Sequence, residues 1–91
     1  MGLIFEWDDE KAFTNQRKHG ITFEEATTAF KDVLSITIDD PQHSQEEEED
    51  RLILIGKSES DNTLVVIHIE KRDTIRIISA RKATKKRTKI L

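Results

Sequence analysis

Three apolar runs, at 52–55, 64–69 and 75–80, follow one another closely in the second half of this 91-residue chain, and each is built mainly of isoleucine, valine and leucine. Branching at Cβ crowds a helical backbone and packs well on a pleated surface, so each run reads as a strand. The segments between the runs are too short for the crossover that a parallel neighbour requires, on the order of a dozen residues. The three strands are therefore expected to pair as an antiparallel meander. A fourth precedes them: Leu34, Ile36 and Ile38 alternate with Ser35, Thr37 and Asp39, a half-exposed strand ended by Asp40-Pro41.

The first third of the chain has another pattern. Leu3 to Trp7 reads as a short strand, apolar but for Glu6. Asp8 or Asp9 then supplies an N-cap, because a carboxylate there accepts from the free N–H groups of the first turn. The helix runs through Ala12 and Phe13 to Lys18 or His19, and Gly20 stops it by entering the left-handed conformation that other residues resist. A second helix begins at Thr22, which has the spacing of a capping box with Glu25. Phe23, Ala26, Ala29 and Phe30, with Val33 beyond, recur at three and four and form one buried stripe. Trp7 and the phenylalanines fall at core positions. The order is strand, two helices, four strands, with a final helix after Lys82 that has only a meagre apolar face. One α+β domain results, with the N-terminal strand and two helices packed on an antiparallel sheet.

Charge is distributed unevenly. The net charge is -3, yet from Lys71 to the end nine basic residues stand against Asp73 alone, leaving that segment at +8 and residues 1–70 at -11. Such asymmetry points to a polyanion or a charged protein as partner. There is no cysteine, hence no disulfide framework and no thiolate metal site. No apolar run has the length of a membrane span, and the acidic start lacks the features of a secretion signal, so a cytoplasmic protein is expected.

Several phrases carry a family resemblance. Phe5-Glu6-Trp7-Asp8, Lys18-His19-Gly20-Ile21-Thr22-Phe23-Glu24-Glu25-Ala26 and Ile75-Arg76-Ile77-Ile78-Ser79-Ala80-Arg81-Lys82-Ala83-Thr84 resemble the BrnT family of bacterial toxins. Asp39-Asp40-Pro41 and Arg51-Leu52-Ile53-Leu54-Ile55-Gly56 fit the same pattern, so the similarity covers nearly the whole chain in order and spacing. The resemblance implies a small RelE-like ribonuclease domain that acts on mRNA without a metal or other cofactor. It also implies a ribbon-helix-helix antitoxin of the BrnA type, bound as a hetero-oligomer that meets operator DNA only through the antitoxin. RNA, ribosome-bound mRNA included, is the implied target. The chain departs from the family near its end: Arg87 stands where a glutamate is usual, and there is no tyrosine. Thr84 could cap a helix, but Arg87 cannot complete the box, and Lys85, Lys86 and Arg87 crowd cations at the positive end of the helix dipole. The last helix is expected to be short or frayed. A catalytically degenerate member that only holds its antitoxin and represses their operon is the alternative reading.

RNA cleavage of this kind needs a base for the 2′-hydroxyl proton, cations for the charged phosphorane and an acid for the leaving oxygen. If Lys71-Arg72-Asp73 form a three-residue loop, Glu70 faces Thr74 and His68 faces Arg76, with Ile78 and Ala80 continuing that side. Ile75, Ile77, Ser79 and Arg81 then take the other side. A two- or four-residue loop shifts this pairing. Beside an arginine, a histidine stays neutral and can act as a base; the alternative is that His68 packs against a helix. Arg76 and Arg81 suit phosphate, since the guanidinium fork binds two oxygens at once. His19 can stabilise the helix C-terminus as a cation or take part in the site. The catalytic candidates are thus His68, Arg76, Arg81 and His19, and the RNA-binding candidates are Lys18, Ser79, Lys82, Lys85 and Lys86. His43 and the acidic run 46–50 read as a solvated loop.

Overall fold

The computed structural model describes residues 3–40 and 51–83. The elements are β1 (Ile4–Glu6), α1 (Asp9–His19), α2 (Phe23–Ala29), β2 (Ile36–Asp39), β3 (Leu52–Lys57), β4 (Thr63–Lys71) and β5 (Thr74–Lys82). The expected α+β order is present. The segment expected to form a last helix, with Lys85 and Lys86, lies outside the described residues, as do His43 and the acidic run.

The helix ends form as their residues require. Asp8 accepts from the N–H groups of Glu10 at 2.8 Å and Lys11 at 3.2 Å. Gly20 sits at φ 74° and donates to the Gln16 carbonyl at 2.8 Å. Thr22 Oγ1 accepts from Glu25 N at 3.0 Å. The reciprocal half of the capping box is replaced by another use of Glu25. Its carboxylate accepts from Ser58 Oγ at 2.7 Å and Asn62 Nδ2 at 2.9 Å, tying α2 to the β3–β4 turn. These two bonds hold the Glu25 carboxyl below the usual carboxylate pKa, against a smaller opposing effect of burial.

The sheet order is β1-β5-β4-β3-β2. β2 to β5 form the expected antiparallel meander, while β1 joins the β5 edge in parallel, so the sheet is mixed rather than purely antiparallel. Leu54, Leu64, Val66, Ile75, Ile77 and Ala80 face α2 and meet Ile21, Phe23, Ala26 and Ala29 in the core. Trp7 packs edge-on to Phe23 and Phe5 edge-on to Phe30. Phe13 departs from the expected core role. It is exposed on α1, with Arg17 over its ring at 5.7 Å.

The stripe of α2 also stops earlier than its spacing suggests. The helix ends at Ala29, and Val33 and Leu34 are 94% and 83% exposed. Asp32 provides the reason: its carboxylate accepts from Leu34 N at 2.9 Å and Lys57 N at 2.8 Å, holding a tight turn against the end of β3. A turn pinned there points the two side chains that follow it into solvent. Ile36 and Ile38 continue on the sheet face away from α2, opposite Ile55 and Ile53.

Candidate functional site

The β4–β5 hairpin decides which residues can act together. Lys71 pairs with Thr74, so the loop is the two residues Arg72 and Asp73, with Arg72 at φ 56°. Glu70 therefore faces Ile75 and Ile69 faces Arg76. The expected opposition of His68 and Arg76 does not occur: His68 lies opposite Ile77, on the other face of the sheet from Arg76. A shift of one residue moves every side chain to the opposite face, and the shorter loop imposes that shift.

A second irregularity follows at once. His68 pairs with Ile77 but Ile67 pairs with Ser79, which makes Ile78 the extra residue of a β-bulge. In a regular strand, Arg76 would share a face with Ile78 and Ala80, as the alternation of the sequence suggests. With the bulge, Ile75, Ile77 and Ala80 all turn into the core, and Arg76, Ser79 and Arg81 share the outer face. The bulge thus gathers two arginines and a hydroxyl that simple alternation separates.

His68 belongs to the core. Its ring is 0% exposed and packs edge-on to Phe30 at 4.8 Å between centroids. Nδ1 lies 3.2 Å from the Val66 carbonyl oxygen and Nε2 lies 3.1 Å from Glu70 Oε2. Both neighbours are acceptors, so a neutral ring donates to one of them and a protonated ring to both. A ring enclosed in this way has no surface to offer a substrate. Lys82 is also set apart. It pairs with Leu64 on the α2 side, where its charge acts on Glu25.

The remaining candidates meet at the other edge of β5. β1 pairs only with Thr74 to Arg76, and beyond it α1 takes its place. There Lys18, His19 and Ser79 line an open cleft of about 320 Å³ with Glu10, Lys11, Thr14, Asn15 and Ile78. Lys18 and His19 are exposed at the C-terminal turn of α1, where cations oppose the helix dipole. Arg81 lies two residues beyond Ser79 on the same strand face. Arg76, on the same face, makes a 3.7 Å ion pair with Glu6 of β1, both side chains being partly exposed. Lysines and arginines with a nearby imidazole and carboxylate can bind phosphate and move a proton. Among the described residues, no three histidine or acidic side chains stand together so as to hold a metal ion. No described helix is long and apolar enough to cross a membrane.

Sequence reasoning did not single out Asn15, Glu10, Lys11 or Thr14. For Asn15 a signal exists: it stands three residues after Ala12, on the stripe that α1 turns inward, and a polar residue there requires partners. Nothing in the sequence marks the other three, because their place in the cleft depends on where α1 lies against β5.

Comparison with known proteins agrees with this architecture. A family model described as the ribonuclease toxin, BrnT, of type II toxin-antitoxin systems matches residues 7–87. The crystal structure of the Brucella abortus ribonuclease toxin BrnT superimposes with a TM-score of 0.63 at 30% sequence identity. That match covers 93% of this chain and 99% of the Brucella chain. A search of curated proteins gave no match. With the family model spanning most of the chain and the fold shared almost end to end, this protein belongs to the BrnT family of ribonuclease toxins of type II toxin-antitoxin systems.

Proposed function

We propose that this toxin is an endoribonuclease that cleaves mRNA in the cytoplasm without a metal ion, using the outer face of β5 and the adjoining α1 cleft. The observation that carries the reading is the bulge at Ile78, which sets Arg76, Ser79 and Arg81 on one face beside the cleft of Lys18 and His19. In this reading Arg76 and Arg81 hold the scissile phosphate and stabilise the charge of the phosphorane. His19, exposed at the cleft, takes the proton of the 2′-hydroxyl as its oxygen attacks phosphorus. The bond to the 5′-oxygen breaks, that oxygen takes a proton from solvent water, and a 2′,3′-cyclic phosphate remains. Lys18 and Lys11 bind flanking phosphates. Lys85 and Lys86, which lie outside the described residues, are further candidates for phosphate contact, while Lys82 and His68 have no part in the chemistry in this reading.

The family implies an antitoxin partner. We assign it the ribbon-helix-helix type, carrying the complex to operator DNA, with an acidic stretch that meets the basic strand. Changing Arg76 and Arg81 together to alanine should abolish growth arrest while circular dichroism shows an unchanged fold. A folded double variant that still arrests growth would overturn the assignment.

A second reading is a degenerate member that only binds its antitoxin. The Glu6–Arg76 ion pair and the enclosure of His68 favour it. It predicts tight antitoxin binding by a folded protein whose expression alone leaves growth unchanged.

A further inference from the structure

Asn15 is 5% exposed, and it is the single buried residue of α1. Its side chain reaches across 65 positions of sequence to the backbone of Ala80. Asn15 Nδ2 donates to the Ala80 carbonyl at 2.8 Å, and Asn15 Oδ1 accepts from Ala80 N at 3.1 Å. Nδ2 also donates to the Ile21 carbonyl at 3.0 Å. The amide therefore treats Ala80 as a neighbouring strand would, donating to its carbonyl and accepting from its N–H. It does so beyond Arg76, where the pairing of β1 with β5 has ended. The orientation of the amide is determined, because the Ala80 N–H requires the oxygen and two carbonyls require the nitrogen.

The location gives this contact a consequence for the site. Ala80 is the second residue after the bulged Ile78, and it lies between Ser79 and Arg81. A bulge leaves the strand locally unpaired and free to bend. The Asn15 clamp fixes the strand immediately beyond that point, and it fixes it to α1, the helix that carries Lys18 and His19. The bond to Ile21 adds the segment that leaves the Gly20 cap. One side chain therefore joins α1 and β5, which line the cleft, to the segment that follows the Gly20 cap.

We propose that Asn15 is a positioning residue for RNA cleavage: by clamping Ala80 to α1 it holds Ser79 and Arg81 in fixed relation to Lys18 and His19. This rests on the outer face of β5 and the α1 cleft being the cleavage site. The role needs both a donor and an acceptor, which aspartate cannot supply while ionised. Asn15→Asp would set a carboxylate against two carbonyl oxygens, and protonation at low pH would restore one donor. Leucine, of similar size, supplies neither.

The test combines amide hydrogen exchange with cleavage kinetics on a fluorescent RNA oligonucleotide, for the wild type, Asn15→Asp, Asn15→Leu, Arg81→Ala and Asn15→Leu with Arg81→Ala. Rates are taken per folded molecule at a temperature where each variant is fully folded. The Ala80 amide should lose protection in Asn15→Leu, which leaves it without its acceptor, and keep most of it in Asn15→Asp, whose carboxylate still accepts, while the Val66 and Leu54 amides of the sheet interior keep theirs in both. Loss of the clamp should lower kcat by about tenfold to a hundredfold with KM changed far less, the size expected for an ångström-scale displacement of reacting groups. The double variant should be no slower than Arg81→Ala by the full factor of Asn15→Leu, since both changes remove the same alignment. Asn15→Asp should recover activity relative to the wild type as pH falls.

A folded Asn15→Leu variant with wild-type kcat, or with an Ala80 amide as protected as before, overturns the proposal. So does a kcat loss that multiplies fully with that of Arg81→Ala. A wild type that does not cleave RNA overturns the placement of the cleavage site and the catalytic role of the clamp with it. The exchange at Ala80, read without RNA, then reports whether the clamp itself holds the strand.

Discussion

Replacing His68 by alanine separates a catalytic histidine from a structural one. The side chain is fully enclosed, with both ring nitrogens at acceptors and its ring edge-on to Phe30. Net loss of its hydrogen bonding costs about 1 kcal/mol, and the bond to a carboxylate raises this toward about 2 kcal/mol. The cavity left in a packed interior adds about 2 kcal/mol more. The expected total is about 3 to 4 kcal/mol. For a chain of 91 residues each kcal/mol moves Tm by about 4–8 °C, so Tm should fall by roughly 12 to 32 °C. Thermal unfolding followed by circular dichroism measures this directly. RNA cleavage at low temperature, normalised to the folded fraction, should remain within about threefold of wild type, because a buried ring touches no substrate. A variant that keeps its Tm within a few degrees would refute the packing argument. One that is fully folded yet inactive would return His68 to the active site.

Two further predictions concern the scaffold. A Cβ at Gly56 would lie 2.9 Å from the Ala29 carbonyl oxygen and 2.9 Å from Ser35 Cβ, so Gly56→Ala should lower stability by about 1–3 kcal/mol in denaturant unfolding. Adding Ser35→Gly should recover only part of that, since the backbone contact remains. The second concerns acid. Because bonds from Asn62 and Ser58 lower the Glu25 pKa in the folded state, their stabilisation is complete above about pH 4.5, the ordinary value, and is lost as pH falls through the lower folded value. Glu25→Gln should flatten the stability profile in that acidic window. An unchanged profile would count against the coupling of α2 to the β3–β4 turn.

Local chemistry accounts for much of the agreement between sequence and structure. The caps at Asp8, Gly20 and Thr22, the runs that become β3, β4 and β5, and the antiparallel meander all depend on residues close in sequence. Interactions over a few residues and the shortness of the connections suffice to specify them. The family was legible for a related reason: its phrases mark those same caps and strands. Arg76, Arg81, Lys18, His19 and Ser79 were also legible as candidates by residue type and place in those phrases.

What they form together was decided by tertiary structure. A two-residue hairpin in place of a three-residue one turned His68 into the core and Arg76 away from it. The bulge at Ile78 then returned Ser79 and Arg81 to the face of Arg76, against the alternation of the strand. Side-chain period in a strand is two, so a single residue of slip or insertion reverses every assignment that follows it. The sequence contains no local record of which slip occurs, because the choice is made by burial against α2. Asn15 shows the same limit from the other side. Its place on the inward stripe of α1 says only that it needs partners, and two of its three hydrogen bonds come from Ala80, far away along the chain. Local residue chemistry specifies the elements and marks the family; the packing of α1 and α2 on the sheet fixes which side chains share a face, because face is a property of register and register is settled by the whole core.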